Sequence, residues 1–488
     1  MFAIDFCASV KYGASFAGAW RSLVAHLVRD EGVAGSNPAA PTIILQGTTR
    51  SMRKGSIMTN RHGPTLGISL ALALALTLTL SIVPSDAAAK DERRTSPRAY
   101  APAAETSASN PISQARDAAR RILGNRFNPS IGIILNGKYA WFSADESEFA
   151  RFAVGHEGER GLKGISIDES ELNFSANVDD KFLGSLTAAI VREEGEQIVE
   201  LEEAYVQTLP QLGLLRGLTV KAGRAFWTFG YMNEHHAHTD DFADRPLPYR
   251  AFLNRAFNDD GIEVSWVLPI DLYAEAGAGM FRGEDFPFGG SDASGIEAWS
   301  VFARVGGDIG ANLNWRAGGY VLSGKAKAGR VSNEDALTFS GDTALYAGDV
   351  RMSWAPTGNR RQQEVTLQAE YFWREEDGTY NEVAFDDSSS GWYVQGVYQF
   401  AQQWRAGVRA SQLIGVDEPE RSPLLRDSPL GAPGHNPIAY AVMLDWTNSE
   451  FSRLRLQYAH EELSQGNTDN QVVLQYVMSI GAHGAHRY

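Results

Sequence analysis

Val365 to Trp373 reads VTLQAEYFW, and its parity decides the fold. Val365, Leu367, Ala369, Tyr371 and Trp373 fall on one side of an extended chain, and Thr366, Gln368 and Glu370 fall on the other. Successive strand side chains point to opposite faces, so this segment has one oily and one wettable side. The pattern recurs outward in both directions. In 453–460, Leu454, Leu456 and Tyr458 alternate with Arg453, Arg455 and Gln457. In 392–400, Trp392, Val394, Gly396, Tyr398 and Phe400 alternate with Tyr393, Gln395, Val397 and Gln399. In 312–323, Leu313, Trp315, Ala317, Gly319 and Val321 form one face. A period of two begins after Phe127 and persists nearly to the end.

A soluble sandwich also alternates, but three features favour a bilayer. The segments run about nine to thirteen residues, the length a tilted strand needs to cross. Aromatic residues sit near segment ends, at Trp141, Phe142, Trp227, Trp266, Trp299, Trp354, Trp373, Trp392, Trp404 and Trp446, as interfacial girdles require. Connections alternate in length. Asn177-Val178-Asp179-Asp180, Glu193-Glu194-Gly195-Glu196 and Pro269-Ile270-Asp271 read as tight turns; 229–260, 282–296, 324–342, 375–390 and 414–436 read as long polar loops. The hydrocarbon core offers backbone groups no water, so a sheet spans it only by closing on itself. The expected fold is all-β, an antiparallel transmembrane β-barrel of about 16 strands (roughly 14–18), with segments from 131–142 to 471–482.

Composition narrows the function classes. The chain has 488 residues, 44 Lys+Arg against 59 Asp+Glu, and a formal charge of −15. Nucleic-acid binding needs a basic surface, so that class is excluded. A mean hydropathy of −0.26 excludes a polytopic helical membrane protein. The one long uncharged run, Leu66 to Val83 (LGISLALALALTLTLSIV), follows Arg61 and precedes Pro84 and Ala87-Ala88-Ala89. It reads as a secretory signal cut before Lys90, with a single transmembrane anchor as the alternative. Met58 opens that signal, so 1–57 reads as a spurious or disordered extension. The expected organisation is 1–57 extension, 58–89 signal peptide, 90–127 flexible arm with a short helix over Ile112–Leu123, and 128–488 barrel. The sole cysteine, Cys7, precedes the signal, so the exported part has no thiol chemistry. The chain ends at Tyr488, on the parity of Leu474, Tyr476, Met478 and Ile480.

The stretches NPSIGIILNGKYAWFS, ISIDESELNFSANVDDKFLGSLTAAI, VELEEAYVQTL, LTVKAGRAFWTFGYMNEHHAH, WYVQGVYQF, SEFSRLRLQYAH and DNQVVLQYVMSIGAHGAH resemble a family of proteobacterial outer-membrane proteins. That family is often labelled TonB-dependent receptor, some members zinc-regulated. More distantly the layout is similar to phosphate-selective porins. The resemblance implies an outer-membrane barrel. A TonB-dependent receptor also has a 22-stranded barrel filled by a plug of more than 100 residues, whereas about 40 residues (90–130) precede the first strand here. An open or loop-constricted channel therefore fits the length better.

Residues 233–244 (NEHHAHTDDFAD) are the richest candidate site. Glu234, His235, His236, His238, Asp240 and Asp241 combine imidazole and carboxylate, the donor set of zinc, nickel or copper. In an extended chain His236, His238 and Glu234 point the same way. A long loop can also fold into a barrel and set such groups in the path. The plainer reading is an acidic surface loop with incidental histidines. His483 and His486 read as interfacial polar residues, and His156 as a loop residue. Glu202 and Glu203 sit on a strand and are expected on opposite faces. Asp240-Asp241, Glu284-Asp285, Glu375-Glu376-Asp377, Asp386-Asp387 and Asp417-Glu418 favour cations at a mouth, or bind divalent ions between lipopolysaccharides. Arg224, Arg316, Arg405 and Arg409 look too scattered for an anion ladder. No GxSxG, HExxH or P-loop is present, so no enzyme and no cofactor is expected. The expectation is a porin-like outer-membrane channel for small solutes, with cation or divalent-metal preference and a possible homotrimer. A receptor for zinc or a metal complex, and a structural barrel without transport, are the alternatives.

Overall fold

A computed structural model describes residues 129–481, apart from 146, 194–195, 211–215, 290–294, 333–336, 416–424, 426–427 and 432–434. The expected extension, signal peptide, arm and helix lie outside the described residues. So do Asp417-Glu418, His483, His486 and Tyr488.

The strands form one antiparallel sheet that closes on itself. β1 (Ser130–Phe142) pairs along one edge with β17 (Asn467–Gly481), from Gly132 opposite Gly481 to Phe142 opposite Gln471. Its other edge is shared. Gly137–Ala140 pair with β2 (Gly164–Ile167), and Ser130–Ile134 pair with β3 (Ser170–Asn177). β2 and β3 thus occupy one strand position, broken at Asp168-Glu169, and the barrel has sixteen positions. β4 (Phe182–Glu193), β5 (Glu196–Thr208), β6 (Leu218–Phe226), β7 (Asn258–Val267), β8 (Tyr273–Phe281) and β9 (Ala298–Ile309) follow by neighbour pairing. The circuit continues through β10 (Leu313–Ser332), β11 (Leu337–Trp354), β12 (Glu364–Tyr380), β13 (Val383–Ala401), β14 (Trp404–Ile414), β15 (Ile438–Ser449) and β16 (Ser452–Ser464).

The parity read from 365–373 holds. Leu367, Tyr371 and Trp373 are exposed on the outer face, while Thr366, Gln368 and Glu370 are buried in the lumen. Leu456 and Tyr458 face out, and Arg455 and Gln457 face in. Two aromatic belts bound the outer face: Tyr273, Trp354, Phe400, Trp404 and Phe451 at the turn end, and Trp141, Trp299, Trp373 and Tyr440 at the loop end. Phe142 and Trp227 do not join them. Phe142 falls on the inward parity, and Trp227 lies beyond the end of β6, inside the barrel.

Two expected loops are strands. Segments 324–332 and 337–342 extend β10 and β11, and 375–390 extends β12 with β13, into hairpins whose strands run 17 to 20 residues. Asn381 and Glu382 both have positive φ, 46° and 68°, the geometry of a two-residue turn matched to strand twist. Glutamate is a poor signal for such a turn, so the polar run reads as a loop. These strands are longer than a bilayer needs and carry the sheet past the loop-end belt. Strand direction also puts the Glu193–Glu196 pair of β4 and β5 at the loop end, so short connections occur there too.

The lumen is not uniformly wettable. Phe281, Phe302, Leu322, Leu345, Phe372, Tyr393 and Leu413 point inward from the wall. They meet Trp227, Phe229, Tyr249, Phe252, Leu253 and Phe257 of the segment between β6 and β7. Apolar inward positions occur where the wall must bury another piece of the chain rather than face water.

Candidate functional site

Residues 227–257 leave β6, cross the lumen and return to β7. Glycine starts the inward turn: Gly230 has φ +72°, and a Cβ there would lie 2.4 Å from the Tyr249 hydroxyl and 2.6 Å from Glu370 Oε2. Asn233, fully buried, joins the two ends of the segment. Its amide donates to the carbonyls of Trp227 (2.7 Å) and Phe257 (2.9 Å), and its oxygen accepts from the Phe257 N–H (2.7 Å). Arg245 gathers the middle, donating to Asp240 (3.0 Å) and to the carbonyls of Arg255 (2.7 Å), Met232 (3.2 Å) and His235. A short helix, α1 (Leu247–Leu253), carries Tyr249 and Arg250.

The segment is tied to most of the wall. Glu370 on β12 accepts from the Tyr249 hydroxyl (3.0 Å) and the Tyr231 N–H (3.0 Å). Arg409 on β14 holds Asp244 (2.8 Å), Arg405 holds Asp241 (2.9 Å), and Glu461 on β16 holds Arg250 (2.7 Å). Lys138 on β1 donates to the Ala243 carbonyl (2.8 Å). Burial opposes ionisation of Asp244, but Arg409 and the amide of Gln457 outweigh it and hold its carboxyl below the usual range. The Tyr231 ring lies between the guanidinium groups of Arg316 (4.7 Å) and Arg351 (4.8 Å).

The six residues singled out in 233–244 do not stay together. Glu234 turns to Arg304 and the Thr228 hydroxyl (2.8 Å). Burial opposes its ionisation, yet Arg304 and Thr228 hold the carboxyl at about 2. His235 packs on the Tyr231 ring, 4.9 Å between centroids, and burial pushes its imidazole down. Asp240 and Asp241 are taken by Arg245 and Arg405. The backbone is not extended here. A tight turn over Ala237–Thr239, with Thr239 donating to the His236 carbonyl, brings only His236 and His238 together, their rings 5.7 Å apart.

Those two imidazoles meet carboxylates from the wall. His238 Nδ1 is 2.6 Å from Glu171 Oε1 on β3. His236 Nδ1 lies 3.3 Å from Glu171 Oε2 and 3.4 Å from Glu202 Oε2, and its Nε2 is 3.0 Å from Glu203 Oε2. Glu202 and Glu203 therefore do not face opposite sides. The β4–β5 register shifts by one between Thr187 opposite Glu203 and Ala188 opposite Leu201, leaving Glu202 as the extra residue of a bulge. A bulge re-aims a side chain, and this one turns both toward His236. Glu169, at the break between β2 and β3, completes the group and pairs with Arg255 (3.2 Å). Burial works against an imidazolium at His236, but the Glu171 charge and the close carboxylates of Glu171, Glu202 and Glu203 lift it well above its usual range. The cage favours positive charge.

No known family profile matches the chain. A protein of Aquifex aeolicus (strain VF5), described only as uncharacterised, is 29% identical over 393 residues, 74% of this chain and 80% of that protein. Among solved structures, the outer membrane channel DcaP of Acinetobacter baumannii is 12% identical with a TM-score of 0.48, covering 72% of this chain and 97% of its own. OprB of Pseudomonas putida is 11% identical with a TM-score of 0.49, covering 75% and 97%. An anion-selective porin from Comamonas acidovorans is 9% identical with a TM-score of 0.46, covering 72% and 99%. None of these is described as a TonB-dependent receptor.

Proposed function

We propose that the protein is a porin-like outer-membrane channel whose bore is set by residues 227–257 and which passes small polar solutes by diffusion. The observation that carries this is a sixteen-position closed barrel with one segment crossing its lumen and tied to opposing walls, at Glu370 on β12 and at Glu171 on β3. Barrels of this strand number are wide enough for an aqueous path, which such a segment narrows. Carboxylates concentrate on the wall of β3 and β5, and Arg316 and Arg351 flank the segment from the other side. Opposed charges across a constriction orient polar solutes and raise the local concentration of counter-ions. The cation preference follows the carboxylate wall. Assembly as a homotrimer is part of this reading.

Planar-bilayer recording of the purified barrel tests it. Discrete conductance steps are expected, with a reversal potential of cation-selective sign in a salt gradient. An anion-selective sign overturns the preference. Silence from both the native chain and a Tyr249→Phe/Glu370→Gln variant overturns the channel. Native mass measurement in detergent reads the trimer.

A further inference from the structure

We propose that His236, with Glu171, Glu202 and His238, holds one first-row divalent cation, zinc by preference, which clasps the lumen segment to the barrel wall. This goes beyond the channel reading and does not rest on it. The spacing comes first. Zinc bonds of about 2.0–2.1 Å place neighbouring tetrahedral ligand atoms about 3.3 Å apart. His236 Nδ1 stands 3.3 Å from Glu171 Oε2 and 3.4 Å from Glu202 Oε2. Ligand atoms of Glu171, His236 and His238 all lie within 4.8 Å of one another.

The hydrogen bonding points the same way. With a proton on Nε2, His236 donates to Glu203 (3.0 Å), the outer partner that orients most metal-bound imidazoles. That tautomer leaves Nδ1 an acceptor facing carboxylate oxygens, which are also acceptors. Neither His236 Nδ1 nor Glu202 Oε2 has a hydrogen-bond partner, although both atoms are buried and the Glu202 side chain is only 10% exposed. A buried polar atom without a partner is costly. One cation answers both.

Charge balance and ligand type narrow the ion. Glu169, Glu171, Glu202 and Glu203 converge here, and Arg255 pairs with Glu169. Imidazole with carboxylate suits zinc and its first-row neighbours, whereas calcium and magnesium prefer all-oxygen sets. Two ligands come from the segment inside the lumen and two from β3 and β5. The cation would therefore cross-link the lumen segment to two wall strands, with His238 and Glu171 67 residues apart in sequence.

Calorimetric titration of zinc into the chelator-treated full chain in detergent tests the clasp, with thermal unfolding of the same samples. One zinc per chain is expected at micromolar affinity or tighter, with a raised Tm, and no matching heat from magnesium or calcium. Glu202→Gln and His236→Ala should each weaken binding at least tenfold. His235→Ala should leave it within twofold. Folding of each variant is checked by its heat-modifiable migration on a gel. A folded native chain that binds no zinc overturns the proposal, as does equal affinity in the folded Glu202→Gln and His236→Ala variants. A proton on His236 would then be the positive charge in the cage. Conductance of the same samples is read separately: a conducting barrel without zinc binding removes the clasp alone, and zinc binding without conductance removes the channel alone.

Discussion

Asn233 shows how much of the constriction depends on single side chains. Its amide and carbonyl make three buried hydrogen bonds that join the start of the lumen segment to its end. Alanine there leaves buried backbone groups without partners, each costing about 1–3 kcal/mol. Asn233→Ala should lower stability by at least ~2 kcal/mol in denaturant titrations and broaden the distribution of conductance steps. Gly230 is the second such position. Gly230→Ala places a methyl against Tyr249 and Glu370 in a conformation alanine disfavours. It should displace the segment and change conductance more than Gly348→Ala, whose Cβ has only the Gly318 carbonyl nearby, at 3.9 Å.

At the scale of elements, the lumen segment is fastened through ion pairs whose strength depends on pH. The folded pKa of Asp244 lies below its unfolded value of about 3.9, through Arg409 and Gln457. Its contribution is fully present above about pH 4 and is lost as pH falls through the folded value. Thermal midpoints recorded from pH 6 downward should show an acid limb that Asp244→Asn flattens. An unchanged limb in that variant would remove Asp244 from the fastening. The strands themselves answer to the lipid. Val394 on β13 faces outward level with Ala369, between the belts of Trp354 and Trp373. Arginine there should cost about 2–4 kcal/mol in vesicle unfolding.

For the whole molecule, the closing pair of β1 with β17 leaves no free edge, as the hydrocarbon core demands. Truncation before β17 should therefore abolish insertion rather than give a fifteen-stranded channel. Protease protection in outer-membrane vesicles is the measurement, and a protected, heat-modifiable truncated chain would contradict it. Only the outer ends of the hairpins β10–β11 and β12–β13 stand beyond the loop-end belt, and those ends do not carry this requirement.

Alternation in 365–373, 392–400 and 453–460 gives the barrel and its facing, and its recurrence from 131–142 to 471–482 gives a strand number of about 16. Lipid is a solvent that every outward residue meets, so its demand is written locally and repeats every second position. The candidate site was legible only in part. His236 and His238 stood out, but Glu234, Asp240 and Asp241 beside them are bound by Arg304, Arg245 and Arg405. The carboxylates that do meet the imidazoles come from β3 and β5. Glu202 reaches them through a bulge that breaks the parity by which its facing would be read. A one-residue register shift and a segment crossing the lumen are products of long-range pairing. No local pattern encodes them, and the tertiary structure alone decided which charges meet inside the barrel.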